Sequence, residues 1–303
     1  MSSFHSSIRR IMPRLALTNP WPGLVTAAFL SVFAVFWHPS DPARAQTQDL
    51  TDIGSTNSPL EIDADEGLEW RREEQVYIAR GNAKAANGEV TVKGDVLSAH
   101  YRPDAEGKSQ VFLLDVQGNV IIETDTEIAY GDHGQYVLDE ERLELRGEDL
   151  KLVNKANKDT ITARDSLEYW RGKQIAVARG NAEAFHEDKQ IRADVLSAHF
   201  KPDDDDKLKV FQVVGEGNVE IRTATDFASG KSGVYYVAED VATLSGDVKI
   251  TQKENQLNGE YAEVNLATGV SKILGAPPGG NTPGRVQGLV QPNSNDNENN
   301  SGN

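Results

Sequence analysis

IDADEGLEWRREEQVYIARGNAKAANGEVTVKGDVLSAHY, residues 62–101, recurs as ITARDSLEYWRGKQIAVARGNAEAFHEDKQIRADVLSAHF, residues 161–200, and that recurrence decides the fold. The offset is a constant 99 without a gap, and 18 of the 40 positions are identical. Chance would give about two or three, so the chain contains an internal duplication. Outward from this stretch the register holds at Gly118-Asn119-Val120 over Gly217-Asn218-Val219, Gly131 over Gly230, Tyr136 over Tyr235 and Gly147 over Gly246.

A smaller unit recurs inside each copy. Its glycines stand at 81, 118, 147, 180, 217 and 246, spaced by 37, 29, 33, 37 and 29 residues, each opening an alternating apolar stretch. Val120-Ile121-Ile122, Leu150-Lys151-Leu152, Val219-Glu220-Ile221 and Val248-Lys249-Ile250 are such stretches. Period two with one charged face predicts half-buried antiparallel strands. No convincing helical period runs through the region. Asn87-Gly88, Gly131-Asp132-His133-Gly134, Asp203 to Asp206 and Asn258-Gly259 read as turns between strands. Two-strand units cannot bury an apolar face singly, so they must stack. An elongated all-β body over 59–274 is expected, with a disordered Pro-, Gly- and Asn-rich tail over 275–303.

The ends and the composition set further bounds. Arg9, Arg10 and Arg14, an apolar run of 15 residues from Gly23 to Trp37, and Ala43-Arg44-Ala45 read as a signal peptide over 1–45. That run is shorter than the roughly 20 residues of a membrane span, and a flexible linker over 46–58 would follow. Removing four arginines and Asp41 takes the net charge from −16 to −19. So acidic a chain is not built to coat nucleic acid. Absence of cysteine excludes disulfides, thiolate catalysis and cysteine-bound metal.

The Gly-Asn-Val strand starts, the Ala-Asp-Val-Leu-Ser-Ala-His-Phe strand at 193–200, the acidic start Leu60-Glu61-Ile62-Asp63-Ala64-Asp65 and the export signal together resemble the LptA/OstA family. The resemblance implies an open β-jelly-roll, a V-shaped pair of antiparallel sheets built from internal repeats. It implies a periplasmic protein that binds lipopolysaccharide and carries it between an inner-membrane transporter and an outer-membrane translocon. The implied partners are LptC-like and LptD-like proteins and further copies joined head to tail through edge strands; no cofactor is implied. A membrane-anchored LptC-like protein and a structural surface repeat protein without lipid cargo are the alternatives.

Two sheets splayed along one side offer an apolar trough. With about eight strands per sheet at roughly 4.8 Å, it would be near 40 Å long. The lipid-contact candidates are Leu97, Tyr101, Val120, Ile122, Leu150, Leu152, Leu196, Phe200, Val219, Ile221, Val248 and Ile250, which plain core packing would also explain. Asp95 and His100 lack a third metal ligand, and Asp203 to Asp206 lack the spacing of a calcium loop. Trp70, Tyr169 and Trp170 read as sheet packing, and Arg80 and Arg179 as outward charges. Distinctive residues come in pairs, as a duplicated scaffold predicts, and no unpaired acid–base group marks a polysaccharide-cleaving enzyme.

Overall fold

The computed structural model describes residues 61–290 except 88–89, 106, 204–207, 225, 266–267, 269 and 281–283. The expected signal peptide and linker, and residues 291–303 of the tail, lie outside the described residues.

Among the described residues eighteen strands form one antiparallel ladder. The first copy holds β1 (Glu61–Asp63), β2 (Gly67–Arg71), β3 (Val76–Asn87), β4 (Val90–Pro103), β5 (Ser109–Glu123), β6 (Glu127–Val137), β7 (Arg142–Arg146) and β8 (Leu150–Asn154). The second holds β9 (Thr160–Ala163), β10 (Ser166–Trp170), β11 (Ile175–His186), β12 (Lys189–Pro202), β13 (Leu208–Arg222), β14 (Asp226–Tyr236), β15 (Val241–Gln252) and β16 (Asn255–Asn265). β17 (Val270–Leu274) and β18 (Gln287–Leu289) follow, and short 3-10 turns at Leu138–Glu140 and Arg171–Lys173 are the described helical segments.

Gly147 stands between β7 and β8, ahead of the strand that the sequence suggests, but the other five repeated glycines do not open strands; they bend them. Gly81-Asn82, Gly118-Asn119, Gly180-Asn181, Gly217-Asn218 and Gly246-Asp247 all carry positive φ on both residues, in mid-strand. Register breaks fall at the same places, between Arg80 and Ala83, Gln117 and Val120, Arg179 and Ala182, Glu216 and Val219, and Ser245 and Val248. Two successive left-handed residues turn the strand sharply, as a bulge does. One half of each long strand therefore pairs in one layer and the other half in a second.

The first layer runs β2, β3, β4, β5, β6, β7, β10 and β11 through β17; the second runs β1, β3, β4, β5, β6, β8, β9, β11 through β16 and β18. Both layers feed one continuous apolar cluster from Ala79 to Ala262, so they face each other across a shared interior. Each layer is fourteen rows deep among the described residues, about 60 Å at the usual strand spacing, which corrects the expected eight rows and 40 Å. The miscount has a physical cause: a strand bent at glycine counts once in sequence and twice in space. For the same reason Gly131 to Gly134 lies inside β6, and Asn258-Gly259 inside β16, where the sequence suggests turns. The tail boundary also shifts, because β18 pairs with β16 beyond residue 274.

Side chains from the preceding strand sit over these bends. Asn119 Nδ2 donates to Asp95 Oδ2 at 3.0 Å, and Asn218 Nδ2 to Asp194 Oδ2 at 2.9 Å. A Cβ at Gly217, φ +74°, would fall against the Asp194 carboxyl group. Gly217→Ala combines that collision with left-handed strain and is expected to destabilise the chain by about 2 kcal/mol in urea unfolding.

Candidate functional site

The twelve apolar candidates are brought together, but not evenly around open space. Leu97, Tyr101, Val120, Ile122, Leu150, Leu152, Leu196, Phe200, Val219 and Val248 are buried core; Ile221 and Ile250 are only partly buried and pack against that core. The difference follows the two copies. In the first, the space by Leu97, Ile122, Tyr136 and Leu143 is about 20 Å³. In the second, a cavity of about 290 Å³ opens between the layers.

Its apolar wall is formed by Ile191, Ile221, Phe227, Ala228, Ala242, Leu244, Ile250, Leu257 and Val264. His186, Lys189, Gln190, Thr223, Asp226, Gln252, Asn255, Asn265 and Ser271 supply the polar groups of the wall. Such a site suits an amphipathic ligand, with its apolar part inside and its polar part at the rim. Burial pulls the Lys189 ammonium below the usual lysine range, against the opposing effect of Asp188 and Glu187.

Two local differences separate the copies. Leu143 is replaced at the repeat-equivalent position by Ala242, which removes side-chain volume from the interior. The hairpins differ too: β15 and β16 are joined by Lys253-Glu254 alone, whereas five residues link β8 to β9. The longer loop folds over the first copy. Asn154 Oδ1 accepts from the Ala156 and Asn157 amides at 2.9 and 3.1 Å. Lys155 Nζ then donates to Glu123 Oε1 at 2.9 Å and to the Thr124 carbonyl at 2.5 Å. Both copies carry the same turn, the Glu127 amide donating to Thr124 Oγ1 at 3.1 Å and the Asp226 amide to Thr223 Oγ1 at 3.0 Å. Thr124 and Glu127 are buried, whereas Thr223 and Asp226 line the cavity.

At the junction between closed and open halves, His186 Nδ1 lies 2.6 Å from Asp159 Oδ1, with both side chains buried. Asn157 Nδ2 donates to the other oxygen of Asp159 at 2.7 Å. Neither Asp159 nor His186 has a duplicated partner, since the equivalent positions are Leu60 and Asn87. Sequence reasoning missed this pair, along with Phe227, Leu257 and Val264 in the cavity wall. Only the unmatched residues of the repeat alignment could have flagged the pair.

The remaining polar candidates do not converge. Asp95 is engaged at its bend, and the His100 ring faces Phe112 at 6.3 Å. Arg179 Nε donates to Glu168 Oε1 at 2.8 Å, and Arg80 is exposed. Tyr169 is buried core beside Phe200, and Lys173 Nζ lies 3.8 Å from the Trp170 ring centroid. Trp70 stacks on Tyr77 at 5.5 Å at the exposed N-terminal end. Asp203 lies 2.7 Å from Lys209, while Asp204 to Asp206 fall outside the described residues. Among the described residues no three His, Asp or Glu side chains gather as metal ligands would.

Residues 160–270 match the family described as LptA/(LptD N-terminal domain) LPS transport protein. Over those residues the chain is similar to that family. The matched segment is the second copy, the one that holds the open cavity. No curated protein gives a significant match. Among solved structures, 18 chains match significantly. One is LptH of Pseudomonas aeruginosa, titled the LptA homologous periplasmic component of the conserved lipopolysaccharide transport device, at 12% identity, covering 79% of this chain and 99% of that one with a TM-score of 0.21. The all-β, repeat-built architecture is thus accompanied by a family match on the copy that carries the cavity.

Proposed function

We propose that the chain is a periplasmic carrier that takes lipopolysaccharide acyl chains into the cavity of its second copy and hands them along the interior. The observation that carries this reading is the 290 Å³ apolar space with polar groups beside Lys189, Thr223 and Asp226. Acyl chains would bury their own apolar surface and that of the wall away from water, while phosphates and sugars remain at the rim. No bond is made or broken; the task is weak, reversible binding. The carrier would stand between an LptC-like protein at the inner membrane and an LptD-like protein at the outer membrane, joined through the edge strands at its two ends. Lipid would pass in one direction along stacked copies.

A photo-crosslinking amino acid at Ile221, with Glu220 as the neighbouring control, tests the reading in the exported chain in its native envelope. Ile221 lines the cavity, and Glu220 engages Arg222 at 3.0 Å. The expected result is lipopolysaccharide adducts at Ile221 and none at Glu220. Adducts at neither position in a folded, exported chain would leave a structural repeat protein whose interior is only core.

A further inference from the structure

A row of hairpin turns borders the cavity of the second copy. His186 and Lys189 close the hairpin of β11 and β12, Thr223 and Asp226 the turn of β13 and β14, and Gln252 and Asn255 the hairpin of β15 and β16. Gln190 pairs with Arg222, and Asp226 with Gln252, so these turns follow one another across neighbouring strands. All six closing residues line the cavity. Lys189 and Ile191 lie two apart on β12 and share its inward face. Among the described residues Lys189 is the one lysine or arginine of the cavity wall.

The duplication supplies a control for these positions. Lys189 stands where the first copy has Val90, a core residue that is 1% exposed. Arg222 stands where the first copy has Glu123, which holds the sealing Lys155. At this edge the second copy therefore carries two cations in place of an apolar side chain and an acid, within a chain whose net charge is −16. Arg222 engages Glu220 at 3.0 Å and lies 4.8 Å from the Phe227 ring centroid, whereas Lys189 lines the interior. Holding an ammonium group against an apolar wall costs free energy, and burial accordingly pulls it below the usual lysine range. An anion brought by the ligand offsets that cost; a neutral head group does not.

We infer that Lys189 determines the specificity of the cavity: its ammonium group binds the phosphate of an acyl-bearing ligand, so the second copy selects phosphorylated amphiphiles over neutral ones of the same chain length. This rests on the carrier reading above and adds the group that chooses the cargo. The apolar wall between Ile191 and Val264 takes a hydrocarbon chain whatever its head group, because the hydrophobic effect is non-directional. Discrimination therefore falls to Lys189. Asp226 lies two strands away, about 10 Å at the usual spacing, so a phosphate is drawn to the Lys189 end of the row and repelled from the Asp226 end. Thr223, Gln252 and Asn255 offer hydroxyl and amide groups along the same row for sugar hydroxyls.

The exported chain, purified, is titrated calorimetrically with decyl phosphate, with decyl maltoside and with inorganic phosphate, the two amphiphiles kept below their micelle-forming concentrations. Lys189→Met and Lys189→Gln remove the charge, Lys189→Arg keeps it, and Lys201→Met makes the same change of charge at an exposed position of β12 away from the cavity. The expected result is a preference of the parent for decyl phosphate of about tenfold, kept by Lys189→Arg and Lys201→Met and lost in Lys189→Met and Lys189→Gln through weaker binding of decyl phosphate alone. The buried Val90 of the first copy shows that this position accepts an apolar side chain, and urea unfolding checks that each variant is folded. Equal affinity of the parent for the two amphiphiles, a preference that survives loss of the charge, or equal weakening of both would overturn the inference and leave the apolar trough standing. Inorganic phosphate bound as tightly as decyl phosphate would make Lys189 a free-anion site and overturn it too. Binding of neither amphiphile by the folded parent would sink the carrier reading itself, and the assignment of Lys189 with it.

Discussion

Ala242→Phe is expected to reduce lipopolysaccharide adducts at Ile221 by about tenfold while the chain still folds and is exported, because a packed interior admits no ligand where a ring already sits. Ala242 pairs with Tyr235 and lines the cavity together with Ile221, Leu244 and Ile250. In the first copy the equivalent position is Leu143, and the neighbouring space is about 20 Å³ instead of 290 Å³. A phenyl ring directed into existing space does not force the strain that overpacking a full core would cost, about 1–3 kcal/mol. Unfolding in urea checks that stability is kept, and envelope crosslinking reads the lipid. Adducts that persist at the parent level in the folded variant would mean that the cavity around Ala242 is not the lipid path.

Asp159→Ala is the substitution with the largest expected effect on stability, about 3 kcal/mol, or a fall of roughly 6–12 °C in the melting temperature of a chain of this size. The reasoning starts from burial. Asp159 and His186 are 1% and 6% exposed at the side chain, and their contact is 2.6 Å. Alanine removes the carboxylate that both His186 and Asn157 engage, and a buried polar group that loses such a bond costs more than the bond itself contributed. The loop that seals the first copy is anchored at Asp159, whose carbonyl accepts from the Asn154 amide at 2.9 Å. Looser closure of the first copy should accompany the loss, seen as faster amide exchange at Thr124 and Glu127. A melting temperature within 2 °C of the parent's, an effect of less than about 1 kcal/mol, would show that the pair contributes little.

The duplication, the all-β class and the family resemblance were legible from 18 identities in 40 positions and a period of two, because alternation and repetition are one-dimensional properties. The apolar candidates were also legible as a set, since every second residue of a half-buried strand must face the interior. Which of them border open space was not. Ile122 and Ile221 are equivalent in sequence, yet one is buried and the other lines a cavity. That difference arises from an alanine in another strand and a loop three residues longer at a distant hairpin. Likewise, glycines that read as strand starts proved to be mid-strand bends, because a positive φ on two successive residues directs the chain into the other layer without ending its pairing. The terminal strand was hidden for the same reason: β18 belongs to the ladder only through its partner β16, and nothing within Gln287–Leu289 announces a strand. Sequence alone determined what repeats and which face is apolar; the tertiary structure decided where the two layers part, because the gap between them depends on residues far apart in the chain.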